Sequence, residues 1–377
     1  MKKMKKLAYF GLTIGVAAAV VIPFINNQNA YASFFQDVEG HWAKANIETA
    51  VQKRYVDGYP DGTFQPDRSV SRAEFIKMVV DALKLKAGAA AAGEEWYQPY
   101  VEAAIAAGIH RKNDFSEHLD EPITRQEMSR VIVRATNKEL QKPEVSMDDR
   151  SFLYNATRKG LIQGLAKGEL GIDQPTTRAQ AVTVIERIMK VNEGEQLQVD
   201  QAAASYAEVA LRGTNLGTVF NAQPKILPMP VEIGGNLKAE ITQIIVVDMS
   251  NPESAYYEWF KEAKNANKQR MDDKYLIALH LKIENKEAQE PGFYSLNQSI
   301  YITNYVRAEM PAESSSPVKK VPAPIPLDKA GSYDGWYLST ATKDFVKQGM
   351  DRVGFENPEF SRMNGGGSYD LTEMRKN

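Results

Sequence analysis

The pattern Ser/Thr-Arg-x-Glu/Gln occurs at three places: Ser71-Arg72-Ala73-Glu74, Thr124-Arg125-Gln126-Glu127 and Thr177-Arg178-Ala179-Gln180. Ser or Thr followed three residues later by Glu or Gln is a capping box. The hydroxyl accepts from the N3 amide, and the N3 side chain returns to the cap amide. Each cap is worth about 1 kcal/mol, so Glu74, Glu127 and Gln180 have a structural reason to be there. Capping does not explain the arginines. At the first helical position a cation opposes the positive end of the helix dipole. Helix-start amides beside a guanidinium would together hold an anion, and a carboxylate suits both. The pattern therefore predicts related anion sites at Arg72, Arg125 and Arg178. The structural alternative is that each arginine pairs with a nearby acid such as Asp67 or Asp120.

These motifs sit at matching places in an internal repeat. The first copy opens with Phe35-Gln36-Asp37-Val38 and His41-Trp42-Ala43. A helical face at Ile47, Ala50 and Val51 follows, then a turn, Gly58-Tyr59-Pro60-Asp61-Gly62-Thr63-Phe64-Gln65-Pro66-Asp67. The second helix carries Phe75, Met78, Val79 and Leu83. In the second copy Trp96-Tyr97 replaces His41-Trp42. Val101, Ala104 and Ile105 repeat the first face, Gly108-Ile109 closes that helix, and Met128, Val131 and Ile132 point inward. In the third, Ala156 matches Ala50 and Ala104, Gly160-Leu161-Ile162 matches Gly108-Ile109, and Val182, Ile185 and Met189 point inward. The separations Ala50–Arg72, Ala104–Arg125 and Ala156–Arg178 agree to within one residue. Such a register marks a repeat architecture.

Phe-x-Asp-Val, His-Trp-Ala, Gly-Tyr-Pro-Asp-Gly-Thr-Phe-x-Pro and Thr-Arg-x-Glu resemble surface-layer-homology (SLH) domains, over about residues 34–192. The resemblance implies three repeats (about 34–86, 94–137 and 147–192) in one α-rich pseudo-threefold trimer. Its central bundle would hold the helices that start at the arginine motif. Grooves between the lobes would bind secondary cell-wall polysaccharide, whose terminal sugar often carries a carboxylate as a pyruvyl ketal. By the same resemblance Arg72, Arg125 and Arg178, with Glu74 and Glu127, are the carbohydrate-binding candidates. Trp42 and Trp96 are groove or core aromatics, Gly58, Gly62 and Gly108 let backbone approach the sugar, and Asp61 is a further carbohydrate-binding candidate. The sequence departs from the pattern at Arg54, where the family often has Gly. The third copy has Gln180 for Glu and lacks both the Trp and the Tyr-Pro-Asp-Gly segment.

Residues 193–205 read as a linker or helix extension. From about Tyr206 the period changes. Val231-Glu232-Ile233, Ile241 to Val247, Tyr275 to Ile283 and Ser299 to Ile302 are β-branched and aromatic, several of them alternating. A helix is expected around Pro252 to Lys268 and a long loop over Pro311 to Lys329. The reading is a β-sandwich over 206–360, then a disordered tail over 361–377. Asn215 to Phe220, Tyr275 to Asn285 and Gly335 to Leu338 are similar to immunoglobulin-like modules of exported Gram-positive proteins.

Lys2, Lys3, Lys5 and Lys6, the apolar run from Leu7 to Ile25 and Ala30-Tyr31-Ala32 form a secretory signal over 1–32. Pro23, Gly11 and Gly15 weigh against a retained membrane anchor, and no later segment is expected to span a membrane. The chain has no cysteine, which excludes thiol nucleophiles and thiolate metal sites. A net charge of −2 gives no basis for a nucleic-acid partner. His41, His110, His118 and His280 are scattered, no nucleophile elbow or phosphate loop occurs, and Asp148-Asp149 and Asp272-Asp273 read as solvated charge. No catalytic residue, metal site or cofactor is expected. The expected function is non-covalent anchoring of an exported protein to acidic wall polysaccharide, with a β-domain presented outward toward neighbouring surface proteins. The alternatives are a wall-anchored extracellular hydrolase and an S-layer-type assembly protein.

Overall fold

The computed structural model describes residues 35–115, 118–234, 237–296, 300–302, 305–322, 324–351, 359–362 and 368–373. The signal segment, 1–32, lies outside them. Helices dominate up to Phe220 and strands follow.

The amino-terminal region is three helix pairs: α1 (Lys44–Gln52) with α2 (Arg72–Ala82), α3 (Gln98–Ala106) with α4 (Arg125–Ala135), and α5 (Asp149–Arg158) with α6 (Arg178–Asn192). All three capping boxes form, at Ser71/Glu74, Thr124/Glu127 and Thr177/Gln180. One apolar core runs through all three pairs. It includes Ile47, Ala50, Phe75 and Val79 from the first, Ala104, Met128 and Ile132 from the second, and Ala156, Val182 and Ile185 from the third. Asp148 caps α5 through the Ser151 amide (2.8 Å), and Asp149 accepts from Arg130 Nε and Nη2 (both 2.8 Å). The expectation of solvated charge is corrected at these two acids.

The pairs are joined by a closed circuit of backbone bonds. Val70 N donates to Thr176 O (2.9 Å), Thr176 N to Ile123 O (2.9 Å), and Ile123 N back to Val70 O (3.0 Å). Each residue lies two positions before an arginine of the repeated motif. The circuit ties segments far apart in sequence, so no single pair completes its own backbone pairing.

Residues 201–212 form helix α7 (Gln201–Arg212), capped by Asp200, whose side chain accepts from the Ala202 and Ala203 amides at 3.0 Å. Ala203, Ala204, Ala207 and Glu208 are buried. Ala207 packs with Leu153 and Tyr154 of α5, while Tyr206 and Val209 pack against the sheet that follows. The segment expected to become β near Tyr206 is thus a helix that welds the two regions. Asn215 to Phe220 adds helix α8 (Leu216–Phe220). The first strand appears only at Gln223.

The strands are β1 (Gln223–Pro224), β2 (Met229–Glu232), β3 (Lys238–Asp248), β4 (Lys264–Asn265), β5 (Lys274–Asn285), β6 (Phe293–Tyr294), β7 (Ile300–Ile302), β8 (Val306–Glu309), β9 (Ile325–Pro326), β10 (Gly331–Thr342), β11 (Glu359–Arg362), β12 (Ser368–Asp370) and β13 (Thr372–Glu373). An antiparallel six-stranded sheet has the order β2-β3-β5-β10-β8-β4. The long central strands β3, β5 and β10 are buried on both faces over residues 244–247, 276–279 and 335–341. One face packs on Ile300, Ile302, Leu371 and α8, the other on Tyr206, Tyr256 and Phe260. The helix expected over Pro252 to Lys268 is confined to α9 (Tyr257–Phe260). Within the stretch read as a disordered tail, β12 pairs with β11 and β13 pairs with β1. Leu371 is fully buried between them. An apolar side chain flanked by pairing strands outweighs the polar composition of that stretch.

Candidate functional site

The motif arginines look across to the next pair and not outward. Arg72 Nε donates to Glu127 Oε1 (3.0 Å), and Nη1 donates to His118 O (2.9 Å) and Glu121 Oε2 (3.1 Å). Arg125 Nε donates to Leu170 O (2.8 Å) and Nη2 to Gln163 O (2.6 Å). Arg178 Nε donates to Phe64 O and Nη2 to Asp57 O, both at 3.0 Å. The first pair thus grips the second, the second grips the third, and the third grips the first. All three arginines are buried.

The helix-start amides are taken as well. Arg72 N and Ala73 N donate to Glu121 O (3.0 Å) and Leu119 O (2.9 Å); Arg125 N and Gln126 N to Gln174 O (3.1 Å) and Ile172 O (3.0 Å); Arg178 N and Ala179 N to Arg68 O (2.9 Å) and Pro66 O (3.0 Å). This corrects the expectation of unpaired amides waiting beside a guanidinium. The carbonyls of the next loop supply the negative partial charge that a cation at N1 requires.

The three positions differ electrostatically. At Arg72, burial works against the charge, but the bonds to Glu127 and Glu121 overcome it and hold the pKa above its ordinary value. Burial pushes Arg125 down, helped by the nearby Arg187. It pushes Arg178 down too, against the pull of Tyr59 and Glu74. Among the described residues neither Arg125 nor Arg178 is in an ion pair. Arg178 instead lies over the rings of Tyr59 (4.9 Å) and Phe64 (4.6 Å). Two of the three clamps therefore hold a buried positive charge whose hydrogen bonds all go to carbonyl oxygens. Glu74 closes its capping box and also accepts from Arg68. Glu127 does the same for Thr124 and Arg72.

The tryptophans do face outward. Trp42 is 64% exposed and Trp96 46%, so neither is a core residue. Each stands two residues before the first helix of its pair, where the third pair has Met147. Each leans on a neighbouring ring, Trp42 on His41 (5.3 Å) and Trp96 edge-on to Tyr97 (5.5 Å).

The glycines serve the backbone. A Cβ on Gly58 would fall 2.0 Å from the Phe35 ring. Gly62 has φ +79° with open space around it and closes the turn in which Tyr59 N donates to Thr63 O (2.8 Å). Asp61 accepts from the Thr63 hydroxyl (2.6 Å) and amide (3.0 Å), and these bonds draw its carboxyl below the usual range. Gly108 has φ +70°, and a Cβ there would meet Gln141 O at 2.3 Å. Gly108→Ala should therefore cost about 1–2 kcal/mol in a urea titration, with wall binding per folded molecule unchanged.

Residues outside the motifs line a cleft of about 190 Å³ between α1 and α6: Asn46, Gln163, Thr183, Glu186, Arg187 and Lys190. Asn46 Nδ2 donates to Thr183 Oγ1 (3.1 Å), and Arg187 Nη2 to Gln163 Oε1 (2.9 Å). The repeat pattern gives these side chains no distinguishing mark, because the cleft exists only once the third pair has closed on the first. Among the described residues no cluster of His, Asp or Glu could hold a metal, and no helix is long and apolar enough to cross a membrane.

The S-layer homology domain model matches residues 34–76 and 145–182. The chain is 49% identical over 49 residues to the cellulosome-anchoring protein of Acetivibrio thermocellus, a match covering 13% of this chain and 11% of that one. It is 25% identical over 217 residues to an S-layer protein of Bacillus thuringiensis subsp. finitimus, 53% of this chain and 26% of that one. It is 27% identical over 202 residues to an amylopullulanase of Thermoanaerobacterium thermosulfurigenes, 47% and 11% respectively. These matches thus span about a quarter or less of each relative's length. The protein carries S-layer homology domains and is a secreted, cell-surface protein with a strand-rich carboxy-terminal region.

Proposed function

We propose that the helical region holds the protein non-covalently to cell-wall polysaccharide and that the strand-rich region is carried outward, with no reaction assigned to the chain. The observation that carries this is the pair of exposed tryptophans at equivalent places in the first two helix pairs. A large apolar ring left in water is costly to keep, and a flat aromatic face with a polar rim suits the C–H face of a sugar. The sugar is acidic, of the pyruvyl-ketal kind. What supports an acid is the positive charge of Arg187 and Lys190 along the α1/α6 cleft. The circuit of bonds from Val70 through Thr176 to Ile123 supports a pseudo-threefold trimer. The six-stranded antiparallel sheet, faced by β7 and its partners, supports an immunoglobulin-like exported module.

The test is retention on purified wall polysaccharide. Trp42→Ala with Trp96→Ala should lower retention about ten-fold or more, one stacking contact being worth roughly 1 kcal/mol or above. The thermal midpoint should hardly change, because both rings are exposed. Removing the ketal groups from the polysaccharide should weaken the parent protein by a similar factor. Undiminished retention by the double variant would remove the tryptophan platform from the account.

A further inference from the structure

A second cleft lies where the helical region meets the strands. It is larger than the first, about 840 Å³, and its walls are the ends of α5 and α7 and the chain from α8 through β1 to Leu227. Arg158 is the last residue of α5 and Arg212 the last of α7. Both guanidinium groups lie over the ring of Tyr154, Arg158 at 6.0 Å and Arg212 at 5.0 Å. Lys225 lines the opposite wall, and Thr218, Asn221 and Gln223 add hydroxyl and amide groups. Among the described residues no aspartate or glutamate lines the cleft.

Cations at helix C-termini have a local reason to exist, since they offset the negative end of the dipole. That reason does not fill the cleft. The nearest acid to Arg212 is Glu208, at 3.9 Å, and Glu208 is otherwise engaged. It is buried and accepts from the Gly217 amide (3.0 Å) and the Thr218 amide (2.6 Å). A Cβ on Gly217 would stand 2.4 Å from Glu208 Oε1, so the loop is held close against α7. This carboxylate shapes the wall, and both arginines line the cleft beside it. Both arginines are exposed, yet they are kept in place by the ring beneath them.

We propose that this inter-domain cleft is a second binding site, distinct from the tryptophan surface, for an oxyanion carried on a polyhydroxylated chain. The two guanidinium groups fit the paired oxygens of a phosphate or carboxylate. The amide and hydroxyl side chains fit neighbouring sugar or polyol hydroxyls. The cleft joins α5 to the strand-rich region through α7, so an occupant would brace the two regions against each other.

The experiment titrates the full chain with two probes, an oligogalacturonate for the carboxylate and a glycerol-phosphate oligomer for the phosphate, at low and high salt. At least one should bind, more weakly as salt rises. Arg158→Ala with Arg212→Ala should weaken that binding about ten-fold or more, and Trp42→Ala with Trp96→Ala should leave it unchanged. Arg158→Glu is a second variant at an exposed position, its fold checked by circular dichroism, and it should weaken binding at least as much. Which probe binds identifies the oxyanion. Binding of neither probe, or full binding by Arg158→Glu, would overturn the proposal, and neither result bears on the tryptophan surface.

Discussion

Arg178→Ala should lower the unfolding free energy of the helical region by about 2–4 kcal/mol, read from urea titrations followed by tryptophan fluorescence. The side chain is buried, and it donates to Phe64 O and Asp57 O while covering the rings of Tyr59 and Phe64. Truncation removes two charge-assisted bonds and leaves both carbonyls short of a donor in a dry site. It also opens a void against two aromatic faces. The loss should not stay within the third pair. Those carbonyls belong to the first repeat, and Arg178 N and Ala179 N close the circuit onto Arg68 and Pro66. A single cooperative transition at lower urea is therefore expected, and not a separate melting of residues 147–192. Arg178→Lys should recover only part of the loss, since one ammonium cannot reach two carbonyls with the planar spread of a guanidinium. A variant as stable as the parent would show that the clamp contributes nothing to closure.

How far the sequence foretold this depends on the kind of partner involved. The capping boxes were legible because both halves lie within four residues, and Ser71/Glu74, Thr124/Glu127 and Thr177/Gln180 all formed. The oddity of an arginine at the first helical position was legible too. Its answer was not, because five of the seven acceptors that Arg72, Arg125 and Arg178 reach are carbonyl oxygens. A carbonyl belongs to every residue and leaves no trace in the sequence. The acid alternative held only at Arg72, with Glu121 and Glu127 and not Asp120. Helix α7 was missed for a related reason. Its alanines bury against two different regions at once, a demand set by tertiary contacts. Leu371 illustrates the same limit, since a short polar stretch reads as tail until its strand partners are known.

Arg134→Met should cost about 3–5 kcal/mol at neutral pH, the largest loss expected from one substitution in the second repeat. Arg134 and Asp114 are both buried and bonded to each other, Asp114 also accepts from the Arg111 amide (2.7 Å), and His110 Nδ1 lies 3.3 Å from the same carboxylate. Arg134 covers the Phe152 ring at 4.8 Å. Methionine keeps much of that packing but strands a carboxylate in the core. Burial raises the pKa of Asp114, yet the close approach of His110 and the bond to Arg134 outweigh it and hold the carboxyl below the usual aspartate range. A group whose folded pKa is depressed adds stability above its unfolded value, near 4 for aspartate, and loses it as pH falls through the folded value. In the variant the burial contribution remains and the guanidinium is gone, so Asp114 should take up a proton more readily. The gap between parent and variant should thus narrow from about pH 7 to about pH 3, as the parent loses its ion pair and the variant neutralises its stranded acid. Urea midpoints at the two pH values measure this. A gap that stays constant would mean that the loss comes from packing against Phe152 and not from the buried charge.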